Sequence, residues 1–296
     1  MLTYKVFAVA GAGNIGVFIV EELLKLQAVG KIDALVVLTR STSSPTIARL
    51  ALLSPAPIFE EVDYTNPTSI TQALSKHHVD AVISTLGHAG GALDAQPGLA
   101  EAARKAGVRL FVPSEFGNPT EHLTAGMLGQ KGTFQGRLRE MGLPSAMFYT
   151  GPFADLIFEG YLEWDVKQGK VEAGADGNVH VSYTARRDVA RYLAYVLTTL
   201  PAKEIEWRTF RIEGDRKTFN QIFADYEERT GRKLNPKYRS KEELEQTLKE
   251  NPKHFSSMLQ YSWISHGGTV GEPDQLDNKL YADWNPIKVV DILTEI

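Results

Sequence analysis

Short apolar runs alternate with amphipathic stretches from the start of the chain, and that rhythm predicts parallel strands joined by helices. Residues 5–10 form the first buried-strand run, with Val6, Phe7, Ala8, Val9 and Ala10 in succession. A glycine turn follows, then a helix carrying Ile15, Phe18, Ile19, Leu23 and Leu26 on one face, then the strand Leu35-Val36-Val37-Leu38. Such a βαβ unit is right-handed and its strands run parallel. Residues 58–62 are a weaker strand, 67–77 a helix, and Ala81-Val82-Ile83-Ser84 a strand closed by Gly87 and the Gly90-Gly91 pair. A helix over about 96–106 leads into Arg109-Leu110-Phe111-Val112, with Pro113 at the exit. Helix 130–141 and the strand 145–149 complete a predicted doubly wound sheet.

Beyond about residue 152 the texture changes. Phe153, Phe158, Tyr161 and Trp164 crowd a short stretch, and Gly169, Gly174 and Gly177 punctuate the next two segments. Helical patterns return at 184–197, 218–230 and 240–250, with a strand candidate at 207–212. The expected organisation is a nucleotide domain over 1–152, to which later segments could return, and a smaller α/β substrate domain over 153–296. Doubly wound folds bind ligands at the carboxyl ends of their strands, where the smaller domain is expected to pack.

Composition narrows the function classes. At 296 residues, with 43% apolar and 23% charged side chains, the chain has the balance of a globular protein with a sizeable core. A formal charge of −4 offers no general attraction to nucleic acid or anionic membranes. Arg186-Arg187 and Lys237-Tyr238-Arg239 are short basic groups, read as solvated surface or substrate-domain contacts. With no cysteine there are no disulfides, thiolate metal sites or cysteine nucleophile. His77-His78 lacks acidic partners at ligand spacing, so no metal site is expected. The chain enters its first strand at once, without a cleavable signal or a membrane-length apolar run, which makes the cytoplasm the expected location.

The first chemistry lies in Gly11-Ala12-Gly13-Asn14-Ile15-Gly16, a G-x-G-x-x-G turn between strand and helix. Gly11 permits the tight turn, Gly13 lets a pyrophosphate approach, and Gly16 removes a side chain where helix and strand touch. The helix N-terminus then presents N–H groups and a positive dipole end to the phosphates. The plain alternative is a turn that only redirects the chain. Cofactor choice is read at the end of the second strand, where an acid favours NAD and a basic residue the 2′-phosphate of NADP. Thr39-Arg40-Ser41 stands there with no acid, and Arg40 can grip a phosphate in a bidentate way, assisted by the hydroxyl of Thr39 or Ser41, so NADP(H) is the expected cofactor. Read blandly, Arg40 is a solvated loop residue.

Ser84, Thr85, Leu86 and Gly87 close the fourth strand and are expected to line the cofactor's path. His88 beside them is read as structural or exposed. Pro113 to Pro119 form a rigid loop in which Glu115 is a candidate anchor and Phe116 a candidate apolar wall. In the following helix Met127, Lys131, Phe134, Leu138 and Met141 share one stripe, four apolar and one cationic. An unpaired buried ammonium is costly, so Lys131 either snorkels outward or faces the nucleotide cleft. Gly126, Gly129 and Gly132 argue that the helix proper begins near Lys131. In the cleft Lys131 could hold the nicotinamide ribose, polarise a carbonyl or donate a proton. No tyrosine stands four residues before it, since position 127 is Met, and Tyr149, Tyr161 and Tyr183 are not distinguished as an alternative acid.

These residues carry a resemblance. The glycine turn, Arg40, Val82-Ile83-Ser84-Thr85-Leu86-Gly87, the run from Arg109 through Pro113-Ser114-Glu115-Phe116-Gly117, and Lys131 with the later Gly142-Leu143-Pro144 resemble the isoflavone reductase-like branch of the NmrA-like atypical short-chain dehydrogenases. Thr218-Phe219-Asn220 through Thr230-Gly231-Arg232-Lys233 extends the similarity over most of the chain. The resemblance implies a Rossmann-type NADP-binding domain with a smaller C-terminal substrate domain. It implies Lys131 as the catalytic residue and Arg40 as the contact to the 2′-phosphate. Fungal relatives in secondary metabolism make a fungal-type member the expectation. The chain departs from the family pattern at Ala12-Gly13-Asn14, which lacks the usual threonine, and at Gln135, where arginine is usual.

The resulting expectation is an NADPH-dependent reductase delivering hydride to a small aromatic or conjugated secondary metabolite, with Lys131 assisting charge or proton transfer. Phe116, Phe153 and Tyr161 are the expected substrate contacts. The alternative is an NADP-binding redox sensor without turnover, which the presence of Lys131 disfavours. A monomer or homodimer is expected, with neither nucleic acid nor membrane as partner.

Overall fold

The computed structural model describes residues 4–87, 89–124 and 126–296. The chain divides into two compact units, one of residues 1–115, 120–148 and 190–210, the other of 116–119, 149–189 and 211–296.

In the first unit, β1 (Val6–Ala10), α1 (Gly16–Ala28), β2 (Ala34–Thr39), α2 (Pro45–Leu50), β3 (Ile58–Glu61), α3 (Pro67–Lys76), β4 (Ala81–Ser84), α4 (Gln96–Lys105), β5 (Leu110–Val112) and α5 (Gly126–Glu140) follow one another. The five strands form one parallel sheet in the order β3-β2-β1-β4-β5. Phe7 stands beside Leu35 on one side and Ala81 on the other. The order reverses between β1 and β4, so their carboxyl ends flank the switch point where such sheets open a crevice. This is the Rossmann-type arrangement. The strands are apolar on both faces because helices cover both. Ala8, Val36, Val82 and Phe111 pack with Leu74, Leu99 and Leu138 from the helices. Each fully buried Leu, Val or Phe contributes about 1.5–3 kcal/mol. Proline at the first turn and a polar cap set two helix starts: Ser44 Oγ accepts the Ile47 N–H at 3.3 Å, and Asn66 Oδ1 the Thr68 N–H at 3.1 Å.

Two expectations are corrected here. Helix α5 begins at Gly126 rather than near Lys131. Its glycines are contact residues, not breakers. A Cβ on Gly129 would come within 2.5 Å of the Thr124 carbonyl carbon, and one on Gly132 would strike the carbonyl oxygens of Thr120 and Leu123. Close seating of the 120–124 loop outweighs the roughly 1 kcal/mol that a helical glycine costs. The strand expected at 145–149 also does not simply extend the sheet. Phe111 donates to the Pro144 oxygen at 2.8 Å and Ala146 to the Phe111 oxygen at 3.2 Å, a single bridge beyond β5. The strand proper, β6 (Met147–Tyr149), pairs elsewhere.

The chain continues through α6 (Ala154–Leu156), a π-helical turn at Ile157–Tyr161, β7 (Lys170–Gly174), β8 (Val181–Tyr183), α7 (Arg186–Thr199), α8 (Ala202–Ile205), β9 (Thr209–Arg211), which pairs with β6, β10 (Asp215–Lys217), α9 (Phe219–Thr230), β11 (Asn235–Arg239), α10 (Lys241–Glu250), α11 (Phe255–His266) and α12 (Val289–Glu295). In the second unit β8 pairs antiparallel with β10 and β7 parallel with β11. Capping boxes of Thr218 with Gln221 and Ser240 with Glu243 start α9 and α10. Its core is aromatic: Phe158 lies 5.4 Å from both Trp164 and Tyr183, and Trp164 4.9 Å from Phe219. Of the basic residues noted in the sequence, Arg186 pairs with Asp155 at 2.8 Å and Arg239 with Glu172 at 3.0 Å. Among the described residues no helix is long and apolar enough to cross a membrane, and no group of three His, Asp or Glu could hold a metal ion.

Candidate functional site

In a parallel sheet the carboxyl ends of the strands share one edge, so the loops after β1, β2, β4 and β5 emerge together. Those loops carry the glycine turn, Arg40, Ser84 to Gly87, and Glu115.

The glycine turn is tight where it must be and open where a ligand must approach. Gly11 has φ +92°, a left-handed conformation that favours glycine, and its N–H donates to the Leu38 oxygen at 3.1 Å. Nothing lies within 4 Å of a Cβ built on Gly13, whereas one on Gly16 would collide with the Gly11 carbonyl oxygen and stand 2.6 Å from Thr85 Oγ1. Thr85 ties the turn to β4, its hydroxyl donating to the oxygens of Gly11 at 2.8 Å and Ala10 at 3.0 Å. Leu86 is buried against the turn. Helix α1 has no acidic residue in its first turn and no side-chain cap on Ile15, which is buried, while Asn14 is exposed. An open Gly13 and an uncapped, acid-free helix start fit the pyrophosphate of a dinucleotide. Ser84 supplies an orphaned polar atom at the same edge: its Oγ is buried without a hydrogen-bond partner among the described residues. Gly87 is exposed and accepts the Leu93 N–H at 2.9 Å; His88 lies outside the described residues.

At the end of β2, Arg40 is exposed and makes no hydrogen bond or ion pair with the described residues. Thr39 serves the loop itself, donating to the Ser41 oxygen at 2.9 Å and accepting the Ser41 N–H at 3.3 Å. The sequence reading missed Tyr64. Its hydroxyl donates to the Leu38 oxygen at 2.9 Å beside the glycine turn, and burial pushes its phenol far above the usual range, against the pull of nearby Arg40 and a hydrogen bond with Gly11. Following a weak strand, Tyr64 had no periodic signal to mark it.

Lys131 lies in the second turn of α5, half-buried as a residue, and its Nζ donates to the peptide oxygen of Glu115 at 3.0 Å. The Glu115 carboxyl is buried. It accepts Thr120 Oγ1 at 2.8 Å and Gln135 Nε2 at 3.0 Å, and Gln135 also reaches Thr120 Oγ1 at 3.0 Å. Burial draws the Lys131 ammonium below the ordinary lysine value, with Glu115 opposing. Burial likewise pushes the Glu115 carboxyl upward, against Lys131, Thr120 and Gln135. The snorkelling alternative for Lys131 is set aside by that inward hydrogen bond. Gln96 braces the same loop, its side-chain oxygen accepting the Ser114 N–H at 2.8 Å. The arrangement can hold or pass a proton at Nζ.

Phe116, Phe153 and Tyr161 belong to the second unit. Phe116 is buried and Phe153 half-buried, bridging backbone to Thr184. Tyr161 is exposed at the end of the π-helical turn, with its ring centroid 4.8 Å from that of the exposed Phe255. Of the other tyrosines considered, Tyr149 and Tyr183 are fully buried, and the Tyr183 hydroxyl has no hydrogen-bond partner among the described residues.

Comparison with known proteins bears on the chain as a whole. The chain is 26% identical over 259 residues to an isoflavone reductase homolog of Nicotiana glauca, covering 84% of this chain and 81% of that protein. It is 26% identical over 270 residues to the phenylcoumaran benzylic ether reductase Betv6 of Betula pendula, with 84% and 82% covered. Oxidoreductase aprR of Aspergillus flavus is 31% identical over 196 residues, 64% of this chain and 62% of that one. Among solved structures, leucoanthocyanidin reductase of Vitis vinifera in complex with NADPH superposes with a TM-score of 0.82 at 20% identity, covering 98% of this chain and 99% of that chain. AtPrR2 with NADP+ and (+)pinoresinol gives 0.82 at 23% identity, covering 100% and 99%. These structural likenesses bear on the fold. The profile of the NmrA-like family matches residues 3–284, nearly the full length. With the glycine turn, the parallel sheet and that match in agreement, the chain belongs to the NmrA-like family.

Proposed function

We propose that the protein is an NADPH-dependent reductase of a small aromatic or conjugated substrate. The observation that carries this reading is Lys131: an ammonium turned inward onto the loop that leaves β5, at the sheet edge that also bears the open glycine turn. The names of its relatives, reductases and oxidoreductases of plants and fungi, support it.

In this reading Gly11, Gly13, Asn14, Ile15 and Gly16 hold the pyrophosphate, and Arg40 takes the 2′-phosphate. Thr39 orders the Arg40 loop, since its hydroxyl is already engaged with Ser41. Ser84, Thr85, Leu86 and Gly87 line the cofactor, the free Ser84 hydroxyl being the polar contact among them. NADPH, when bound, supplies the hydride. What this chain adds is a site from which Lys131 Nζ stabilises developing negative charge or gives up a proton. Phe116, Phe153 and Tyr161 are the proposed contacts of an aromatic substrate.

The test is NADPH consumption by the purified protein across aromatic ketones, enones and benzylic ethers. Oxidation of NADPH with formation of a reduced product is expected for at least one class. Protein that binds NADPH and consumes none with any of them would be a dinucleotide-binding regulator instead.

A further inference from the structure

A buried carboxylate is costly, and a loop anchor needing only hydrogen bonds would be served more cheaply by a neutral amide. Glu115 is nonetheless only 2% exposed. Its carboxyl sits in a closed triangle with Thr120 and Gln135, and its peptide oxygen takes the Lys131 ammonium. One residue therefore gives the amine its hydrogen-bond acceptor through the peptide oxygen and acts on it through the charge of its carboxylate.

We propose that Glu115 is a positioning residue for Lys131: its peptide oxygen aims Nζ, and its carboxylate, held by Thr120 and Gln135, keeps that amine protonated. The proposal deepens the reductase reading and rests on it for the use of Lys131. The groups facing the pair are Lys131 and Gln135 from α5 and Thr120 and Glu121 from the loop before it, and Glu121 opposes the ionisation of Glu115. Desolvation works against the ammonium of Lys131, and Glu115 is the group that opposes it. Removing the carboxylate leaves desolvation unopposed, so Lys131 loses its proton at lower pH.

The test reads Lys131 directly, by NMR titration of its 13Cε resonance in the free protein, assigned by loss of the signal in Lys131→Arg. Glu115→Gln is expected to lower the Lys131 midpoint by about one pH unit or more. Thr120→Val, which removes one donor to the carboxylate and so makes its ionisation costlier, is expected to lower it less, in the same direction; it decides the matter should Glu115→Gln fail to fold. An unmoved midpoint in a folded variant overturns the proposal. Rate profiles then separate it from the reading beneath: a shifted midpoint with an unmoved alkaline limb of kcat/KM supports the pairing and removes Lys131 from the reduction, whereas both moving together supports both.

Discussion

The Lys131 ammonium donates at 3.0 Å to the peptide oxygen of Glu115, and the carboxyl of that same glutamate is held by Thr120 and Gln135. The helix that follows β5 is thereby bound to the loop leaving it, and a proton-bearing group is fixed at the edge of the sheet where dinucleotides bind.

Because burial works against the charged amine, Lys131 should titrate below the ordinary lysine value of 10.5. The kcat/KM of the reductase should fall on the alkaline side with a midpoint under that value. Lys131→Met should lose about a hundredfold or more of the rate with little change in NADPH affinity. In Lys131→Arg, which stays charged, the alkaline limb should disappear; its persistence would assign the limb to another group.

Gly13 and Gly16 should respond differently to the same added methyl group. At Gly16 a Cβ meets backbone, the Gly11 oxygen, so Gly16→Ala should destabilise the fold by about 1–3 kcal/mol. Space is free at Gly13, so Gly13→Ala should keep the melting temperature and lose NADPH affinity. Calorimetric melting and fluorescence titration of NADPH measure the two effects separately, and equal binding by wild type and Gly13→Ala would remove the pyrophosphate from this turn.

Arg40 is exposed and free of ion pairs to the described residues, so its removal should cost the fold little. Arg40→Ala should weaken NADPH by about tenfold while leaving NADH nearly unchanged, as loss of one charge-assisted phosphate contact requires. Isothermal titration with both nucleotides checks it, and a parallel loss for both would place the 2′-phosphate elsewhere.

Acid sensitivity should centre on Asp80. Partial burial raises its carboxyl, but the N–H groups of Lys5 at 2.7 Å and Val6 at 3.0 Å and the Arg109 guanidinium at 2.8 Å outweigh it and bring the carboxyl below its ordinary value of 3.8. A carboxyl depressed in the folded state stabilises above its unfolded value, and that stabilisation is lost as pH falls through the folded one. Asp80→Asn should therefore cost about 1–2 kcal/mol near neutrality, with the difference from wild type closing in the acid range below the folded value. Urea melts at several pH values measure it. A gap that stayed constant into strong acid would exclude ionisation as the cause.

The sequence by itself determined the parallel sheet up to β5 and its helices apart from the short α2, because buried parallel strands must be continuously apolar and the longer crossovers carry a 3.6-residue stripe. Val6 to Ala10, Ala34 to Thr39 and Ala81 to Ser84 were legible for that reason, as were the glycine spacing and Arg40 beside them. Strand β11 was not legible: Asn235-Pro236-Lys237-Tyr238-Arg239 has no apolar alternation and becomes a strand only through β7. Nor could the start of α5 be read correctly, since glycine propensity points to a loop before Lys131 and only the backbone seated against Gly129 and Gly132 explains the earlier turn. The partners of Lys131 were beyond sequence too. Glu115, Thr120 and Gln135 lie up to 20 residues apart and meet only because α5 folds back on the loop leaving β5. Periodicity reports which face of an element is buried; which polar groups meet there, and so which protons can be held, is decided by tertiary packing.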